Sequence, residues 1–313
     1  MLARTSERFT FPSMKERRIK CIGAFLLLAS FILQPLAAQE NGGAVTNRHS
    51  LWKVQGKNNV VYLLGSIHLL KPENFPLPSA LETAFSNSQV AVFETDVEKL
   101  ADPQLQATLM SKAQLPAGQT LKQHLSAETY AAFTNQATES GLPVEMLESM
   151  KPPMAAMMLS MVAVAKLGAD PAKGLDKYFA DKARQEGKQV IGLETADFQI
   201  DMITSFPEDE DDLVMKSSLK EIETMKQSYG DIVTAWQTGN GAAIEKLLND
   251  SLRDTPAIFK RMVTDRNQNW APRIEELLHG DKNAIVIVGV AHLVGKDGVV
   301  ELLKGKGLKV RQL

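Results

Sequence analysis

Two segments of the chain share a pattern in which an apolar run leads into Gly-x-x-His. They are VVYLLGSIHLL, residues 60–70, and AIVIVGVAHLV, residues 284–294. Such runs are typical of strands covered on both faces, and the glycines at their ends, Gly65 and Gly289, permit a tight turn or close backbone approach. Because neutral imidazole is a common metal ligand, His68 and His292 are candidate metal ligands.

Glutamates follow two further apolar runs, AVFETD and IGLETA, at Glu94 and Glu194. The carboxyl ends of strands in an α/β sheet meet at the ligand-binding edge, so we expect the two histidines and two glutamates at one rim. Imidazole and carboxylate together suit zinc, manganese or iron with open positions for water. Each residue alone also has a simpler interpretation, as a structural histidine or as a glutamate that is solvated or caps the next helix.

Arg266 lies on the apolar stripe of a helix predicted near 255–278. The stripe comprises Phe259, Met262, Val263, Trp270, Ile274 and Leu277. A charge in such a position is costly unless it is paired. Three interpretations stay open: an ion pair with a structural carboxylate, a guanidinium stacked on Trp270, or an arginine that points into the site to orient a carboxylate or stabilise an oxyanion.

Two polar residues are weaker site candidates. Asp176 opens a predicted helix after Lys173-Gly174-Leu175, and Asn267 follows Arg266 directly. An acidic side chain at a helix N-terminus also interacts favourably with the helix dipole, which gives Asp176 a structural alternative.

Composition limits the chemistry that is available. The chain has 313 residues, of which 44% are hydrophobic, and its formal net charge of −2 does not favour a nucleic-acid partner. The single cysteine, Cys21, lies in an N-terminal apolar run. The remainder therefore has no thiol nucleophile, thiolate ligand or disulfide. No His-Glu-x-x-His sequence is present, so a peptidase would not be a standard zincin.

Residues 1–38 are typical of a secretory signal peptide. Basic residues precede the apolar run 21–33, and the small residues Ala37 and Ala38 follow it. The run is shorter than the ~20 residues of a bilayer span, which favours cleavage over an uncleaved anchor. Met14 makes a more usual start than Met1. We expect a periplasmic protein without a stable membrane span, or a membrane-tethered one if the signal is retained.

After a polar linker at 39–50, strands and helices alternate over 51–313. Strands are predicted at 51–54, 60–64, 89–93, 189–193, 283–288 and 308–312, and long helical stretches at about 97–170 and 207–280. This order predicts a single α/β domain with a central, mostly buried mixed sheet, flanking helices and two large helical insertions.

Several motifs, taken in order, resemble the TraB/PrgY/GumN family. They are GSIHLLKPENFPLP (65–78), VFETD (92–96), KGLDKYF (173–179), GLETADFQ (192–199), DRNQNW (265–270) and VGVAHLVGKDGVVELLKGKGLKV (288–310). The family includes Tiki proteins, described as metal-dependent proteases with two Gly-x-x-His motifs and an important glutamate, and bacterial proteins implicated in control of peptide pheromones. The resemblance implies manganese or cobalt as metals. His68 and His292 match the paired histidines; Glu94 is the best match to the glutamate, with Glu194 a similar alternative.

The first functional hypothesis is an exported metal-dependent hydrolase that acts on peptide or protein substrates. His68, His292 and Glu94 would hold manganese, cobalt or zinc, with Glu194 as general base and Arg266 as electrophilic helper. One alternative is a non-catalytic periplasmic protein, with a binding or regulatory role, whose ligand is a peptide, a metal or haem. Another is a metal-independent hydrolase in which histidine and glutamate perform the acid–base chemistry directly.

Overall fold

A six-stranded mixed sheet lies at the centre of the protein. The computed structural model describes residues 48–96, 99–252 and 255–313. The strands are β1 (Leu51–Gln55), β2 (Val60–Ser66), β3 (Val90–Thr95), β4 (Gln189–Glu194), β5 (Ala284–Gly289) and β6 (Val310–Gln312), in the order β4-β3-β5-β2-β1-β6. Each strand bound lies within two residues of its prediction, which confirms the α/β class and the mixed sheet.

The sheet combines a parallel block with an antiparallel edge. β4, β3, β5 and β2 run parallel to one another, whereas β1 is antiparallel to both β2 and β6. The carboxyl ends of the four parallel strands therefore lie at one edge of the sheet. In open α/β sheets this edge is where ligands bind.

Helices cover the sheet and extend beyond it. Those before β4 are α1 (Ser79–Ser86), α2 (Pro103–Lys112), α3 (Leu121–His124), α4 (Ala127–Ser140), α5 (Val144–Leu147), α6 (Pro152–Lys166) and α7 (Leu175–Gln185). Those after it are α8 (Ala196–Thr204), α9 (Asp211–Gln237), α10 (Gly241–Leu252), α11 (Pro256–Phe259), α12 (Asp265–Leu277) and α13 (Val299–Gly305). A π-helical turn, Lys260–Thr264, joins α11 to α12. In the described part of the chain, no helix combines the length and apolar character needed to cross a bilayer.

The two faces of the sheet belong to different hydrophobic clusters. On one face, Phe93 and Ile287 join a large core that continues into the long helical cap, where α6 packs along α9. On the other face, Val286 and Val288 pack under Trp270 of α12 and beneath α13. The predicted helical stretch at 207–280 thus divides, because α9 and α10 build the cap while α12 returns to cover the sheet.

The N-terminal signal peptide predicted at residues 1–38, with its alternative start at Met14, lies outside the described residues. So does most of the polar linker predicted at 39–50. The described chain begins beside the antiparallel edge of the sheet, where the His49 carbonyl accepts a hydrogen bond from the Gln312 side chain at 2.9 Å.

Candidate active site

The four parallel strands bring the predicted site residues together. His68 follows β2, Glu94 lies near the end of β3, Glu194 ends β4, and His292 lies in a short 3-10 turn immediately after β5. The buried apolar runs fix these strands next to one another, so residues up to 224 positions apart meet at one edge.

Gly289 marks the point where three of these side chains converge. A Cβ atom at this position would lie 3.3 Å from Glu94 Oε1, 3.6 Å from His292 Cδ2 and 3.7 Å from His68 Nε2. The Gly289 N–H also donates to Glu94 Oε1 at 2.8 Å. The absence of a side chain at Gly289 therefore leaves the space in which both imidazoles and one carboxylate face each other.

Gly65, the glycine of the first motif, has a packing role. A Cβ atom there would lie 2.6 Å from Val290 Cγ2, in the turn that carries His292. The Gly65 carbonyl accepts a hydrogen bond from Trp236 Nε1 at 2.8 Å. Only glycine allows the end of β2 to approach the second motif so closely, and this approach brings the two histidine-bearing segments together.

Asp176 orients His68. Its Oδ2 lies 2.6 Å from His68 Nδ1, and its Oδ1 accepts from Ser66 Oγ at 2.9 Å. Burial alone lowers the pKa of His68, but the Asp176 carboxylate outweighs that effect and raises the pKa to about 9. With Nδ1 held by the carboxylate, the Nε2 atom is directed toward Gly289.

Gly174 makes the contact between Asp176 and His68 possible. It precedes the first residue of α7, and a Cβ atom there would overlap the His68 carbonyl oxygen. The adjacent Leu175 N–H donates to the Ile67 carbonyl at 3.1 Å. The start of α7 is thus pressed against the loop after β2, which places Asp176 beside the imidazole.

Asn267 orients the second histidine. Its Nδ2 donates to the Asp297 carbonyl at 2.8 Å, so its Oδ1 faces His292 Nδ1 at 2.7 Å and accepts a proton from it. His292 Nε2 then has its lone pair toward the centre. Burial and the nearby Arg266 lower the pKa of His292 to about 3, which keeps the ring neutral at physiological pH. The Trp270 ring packs against the imidazole, with 4.5 Å between centroids.

Arg266 lies between the two glutamates. Its Nη2 donates to Glu94 Oε2 at 2.6 Å and to Glu194 Oε2 at 2.8 Å, while Nη1 lies 3.2 Å from His292 Nε2. The guanidinium also stacks over Trp270, 4.6 Å from the ring centroid. The predicted ion pair and the predicted stacking therefore occur together, and the arginine also contacts the site.

Both glutamates accept hydrogen bonds on both oxygens, and they differ in the number of side chains that enclose them. Burial raises the pKa of Glu94, but Arg266 and the histidines outweigh it and, with the Gly289 N–H, hold that pKa well below its usual range. Glu94 therefore stays a carboxylate. Glu194 is more enclosed: Oε1 accepts from Arg266 Nε and Trp270 Nε1, both at 2.9 Å, and Oε2 accepts from Arg266. Both of its oxygens are thus engaged.

Access to the site is from the side of His68. Its side chain is 25% exposed, against 5% for both Arg266 and His292. His68 is thus the most accessible of these side chains, and Glu94 is more exposed than the enclosed arginine.

The sequence patterns predict most of these residues but not all of their contacts. The patterns give no role to Ser66, although it lies within the first Gly-x-x-His motif, and they predict Trp270 only as a stacking partner. The serine between glycine and histidine was the available signal, since a hydroxyl at a strand end is well placed to hydrogen-bond a neighbouring loop.

The imidazole and carboxylate groups of the site are suitable ligands for a divalent metal, but their present spacing does not form a metal site. A histidine that binds a metal usually donates a hydrogen bond from its second ring nitrogen to an oxygen atom. His68 has such a contact with Asp176, and His292 has one with Asn267. Across residues 48–96, 99–252 and 255–313, however, no three His, Cys, Asp or Glu side chains are spaced to hold an ion as they stand. The cation at the centre of the described arrangement is the Arg266 guanidinium.

Comparison with known proteins places the chain among bacterial and animal relatives. It is 25% identical over 251 residues to the uncharacterized protein YbaP of Escherichia coli strain K12, covering 79% of this chain and 89% of that protein. It is 22% identical over 310 residues to a protein of Danio rerio named metalloprotease TIKI1, covering 83% of this chain and 62% of the relative. No solved structure matches significantly.

The family model described as TraB/PrgY/gumN matches residues 50–312, which include every side chain of the site. The chain therefore belongs to the TraB/PrgY/gumN family.

Proposed function

We propose that this protein is an exported, metal-dependent hydrolase that cleaves peptide bonds. The observation that carries the proposal is the convergence of His68 Nε2, His292 and Glu94 Oε1 on the space above Gly289, each imidazole held through Nδ1 by an oxygen. A related protein bears the name metalloprotease, which supports the reaction class.

His68, His292 and Glu94 would hold the ion. A divalent ion of manganese, cobalt or zinc would polarise a substrate carbonyl and lower the pKa of a bound water molecule. The chain's own contribution is orientation: Asp176 and Asn267 fix the two rings, and the Gly289 N–H fixes Glu94.

The contacts of Glu194 favour a different role from that of general base. Both of its oxygens accept hydrogen bonds from Arg266 or Trp270, so proton transfer would break strong contacts. We assign Glu194 to holding Arg266 in place. Arg266 then keeps a fixed positive charge beside Glu94, and this charge would stabilise the negative charge that develops on a substrate carbonyl oxygen during hydrolysis.

Export is part of the proposal because of the N-terminal segment. Residues 1–38 have the basic, apolar and small-residue order of a signal peptide. The substrate would then be a peptide or protein outside the cytoplasm.

The test is a hydrolysis assay on the full chain, expressed so that it can be exported and processed. The purified protein is supplied with manganese, cobalt or zinc and incubated with a peptide library, and products are identified by mass spectrometry. We expect turnover that His68→Ala abolishes, whereas His279→Ala, a change to an exposed histidine, leaves it intact. Absence of turnover with all three metals, or full turnover by His68→Ala, would contradict the proposal.

A second candidate function is a metal-independent hydrolase, and the position of Arg266 favours it. The guanidinium already supplies positive charge at Glu94 and His292, and the Asp176 carboxylate keeps His68 protonated at neutral pH. A protonated imidazole next to a fixed cation can donate a proton to a leaving group without an ion. Thorough chelation separates the two functions, because only this second hydrolase keeps its activity.

A further inference from the structure

The guanidinium of Arg266 uses all of its hydrogen-bonding capacity inside the candidate site. Its Nε donates to Glu194 Oε1 at 2.9 Å, and its Nη2 donates to Glu94 Oε2 at 2.6 Å and to Glu194 Oε2 at 2.8 Å. Its Nη1 donates to the Met262 carbonyl at 3.1 Å and lies 3.2 Å from His292 Nε2. A guanidinium has five N–H groups and no acceptor, so each of these groups has one partner.

The contact between Arg266 and His292 allows one arrangement of protons. Because the guanidinium can only donate, His292 Nε2 accepts through its single lone pair. His292 Nδ1 then carries the ring proton, which agrees with its 2.7 Å contact to Asn267 Oδ1. The Asn267 amide nitrogen donates to the Asp297 carbonyl at 2.8 Å, so the amide oxygen is the atom that faces the ring. The contact with Arg266 therefore occupies the Nε2 lone pair of a neutral imidazole.

A metal ion at His292 would need the same lone pair. Neutral imidazole binds a metal through its unprotonated ring nitrogen, and Nδ1 of this ring is protonated toward Asn267. One lone pair cannot serve Arg266 and an ion at the same time. Arg266 also donates to Glu94, so the guanidinium contacts two of the three side chains that are proposed to hold the metal.

Burial makes the loss of the contact with His292 unfavourable for Arg266. The side chain is 5% exposed, and its guanidinium stacks over Trp270. An Nη1–H group that lost His292 would lie in this enclosed place, and a buried donor without an acceptor destabilises the arrangement. The contacts of Nε and Nη2 with Glu194 do not involve His292, and they hold the guanidinium beside the imidazole.

We propose that Arg266 competes with the metal ion for His292 Nε2 and so lowers the affinity of the site for metal. The inference rests on the proposed metal-dependent hydrolase and concerns how its site is loaded. The guanidinium supplies positive charge to Glu94 and Glu194 without an ion, while its contact with His292 opposes binding of the ion. The affinity for metal is then the difference between the attraction of the ligands and this competition.

Calorimetric titration of the full chain with zinc tests the competition, and the variant carrying both His68→Ala and His292→Ala serves as the reference for zinc bound elsewhere. Arg266→Lys keeps a positive charge near the glutamates but loses the planar fork that reaches Glu194 and His292 together. We expect this variant, with folding checked by circular dichroism, to bind zinc at least about tenfold more tightly than the parent. The control Arg273→Lys changes an arginine of the same helix that donates to the Leu193 carbonyl, and its zinc affinity should stay within about twofold of the parent.

NMR of the unsubstituted chain with isotope-labelled arginine supplies a second readout that needs no substitution. Zinc should shift the Nη1 signals of Arg266, assigned through their proximity to the Trp270 ring, and should leave those of Arg273 in place. Zinc affinity of Arg266→Lys equal to or weaker than that of the parent, or unshifted Arg266 signals in the zinc-bound parent, would each overturn the competition and leave the metal-dependent hydrolase standing. Zinc binding by the parent no tighter than that of the double-histidine variant would refute the metal centre and the competition with it.

Discussion

Arg266 contacts both buried glutamates and one histidine of the site. It neutralises the buried carboxylates of Glu94 and Glu194, and it presents a fixed charge to the space shared with His292. Burial alone lowers the pKa of this guanidinium, but the two glutamates raise it further than burial lowers it, so the charge is permanent. The residue therefore matters to folding as well as to chemistry.

Arg266→Met tests the folding role. Removal of one partner of a buried ion pair leaves the other charges uncompensated, so we expect the free energy of unfolding to fall by about 3–5 kcal/mol. Urea unfolding followed by circular dichroism measures it. The control Arg311→Met alters an exposed arginine of β6 and should stay within about 0.5 kcal/mol of the parent. Equal stability of the two variants would mean that the glutamates do not depend on Arg266.

Asp176→Asn tests the orientation of His68. The amide cannot supply the negative charge that holds the imidazole through Nδ1, so hydrolysis should fall by about 10–100-fold, as is usual for groups behind a metal ligand. Melting temperature serves as the check that folding is retained. Asp181→Asn, on the exposed side of the same helix, is the matched control and should retain parental activity. Unchanged turnover by Asp176→Asn would remove this aspartate from the site.

At the level of elements, the site depends on close approaches of backbone that only glycine permits. Gly65 lets β2 lie against the turn of His292, and Gly174 lets the start of α7 lie against the loop of His68. A π-helical turn precedes Arg266, and turns of this kind are frequent at functional sites. The geometry of the site is therefore set as much by how the elements meet as by the reactive side chains.

Gly174→Ala tests this dependence on close approach. The new methyl group would overlap the His68 carbonyl, so we expect a loss of about 1–3 kcal/mol in unfolding free energy and a larger fractional loss of activity. Gly230→Ala is the control, because that position lies within α9 with open space around it. Alanine in a helix interior should stabilise the protein there by up to about 1 kcal/mol. If Gly174→Ala and Gly230→Ala have the same stability and the same activity, the close contact at Gly174 does not position Asp176.

Apolar runs predict the inner parallel strands β2, β3 and β5 well because most of their residues are buried, as all six residues of β5 are. The same runs located His68, His292, Glu94 and Glu194, since strand ends are visible in sequence. The contact of Ser66 with Asp176 spans 110 residues and has no periodic signal. The sequence pattern also does not show that the helices of residues 207–280 cover different faces of the sheet. Trp236 and Trp270 follow the same helical pattern but pack on opposite faces.

On the scale of the whole molecule, a sheet with its reactive edge is joined to a large helical cap. Tyr229 of α9 reaches the loop after β2, where its hydroxyl donates to the Leu69 carbonyl at 3.2 Å. Trp236 of the same helix binds the Gly65 carbonyl. The cap thus supports the loop that carries His68.

Whether the site holds a metal ion decides between the two hydrolases. The proposed donors face one another, yet Arg266 occupies the centre of the described arrangement. A metal ion bound to His292 Nε2 would replace the contact of that atom with Arg266 Nη1.

Elemental analysis of the exported protein, beside a variant carrying both His68→Ala and His292→Ala, tests the metal directly. We expect about one manganese, cobalt or zinc ion per chain in the parent and almost none in the double variant, with both folded as judged by circular dichroism. Equal metal content in the two proteins, or a metal-free parent that still hydrolyses peptides, would contradict a metal centre at His68, His292 and Glu94.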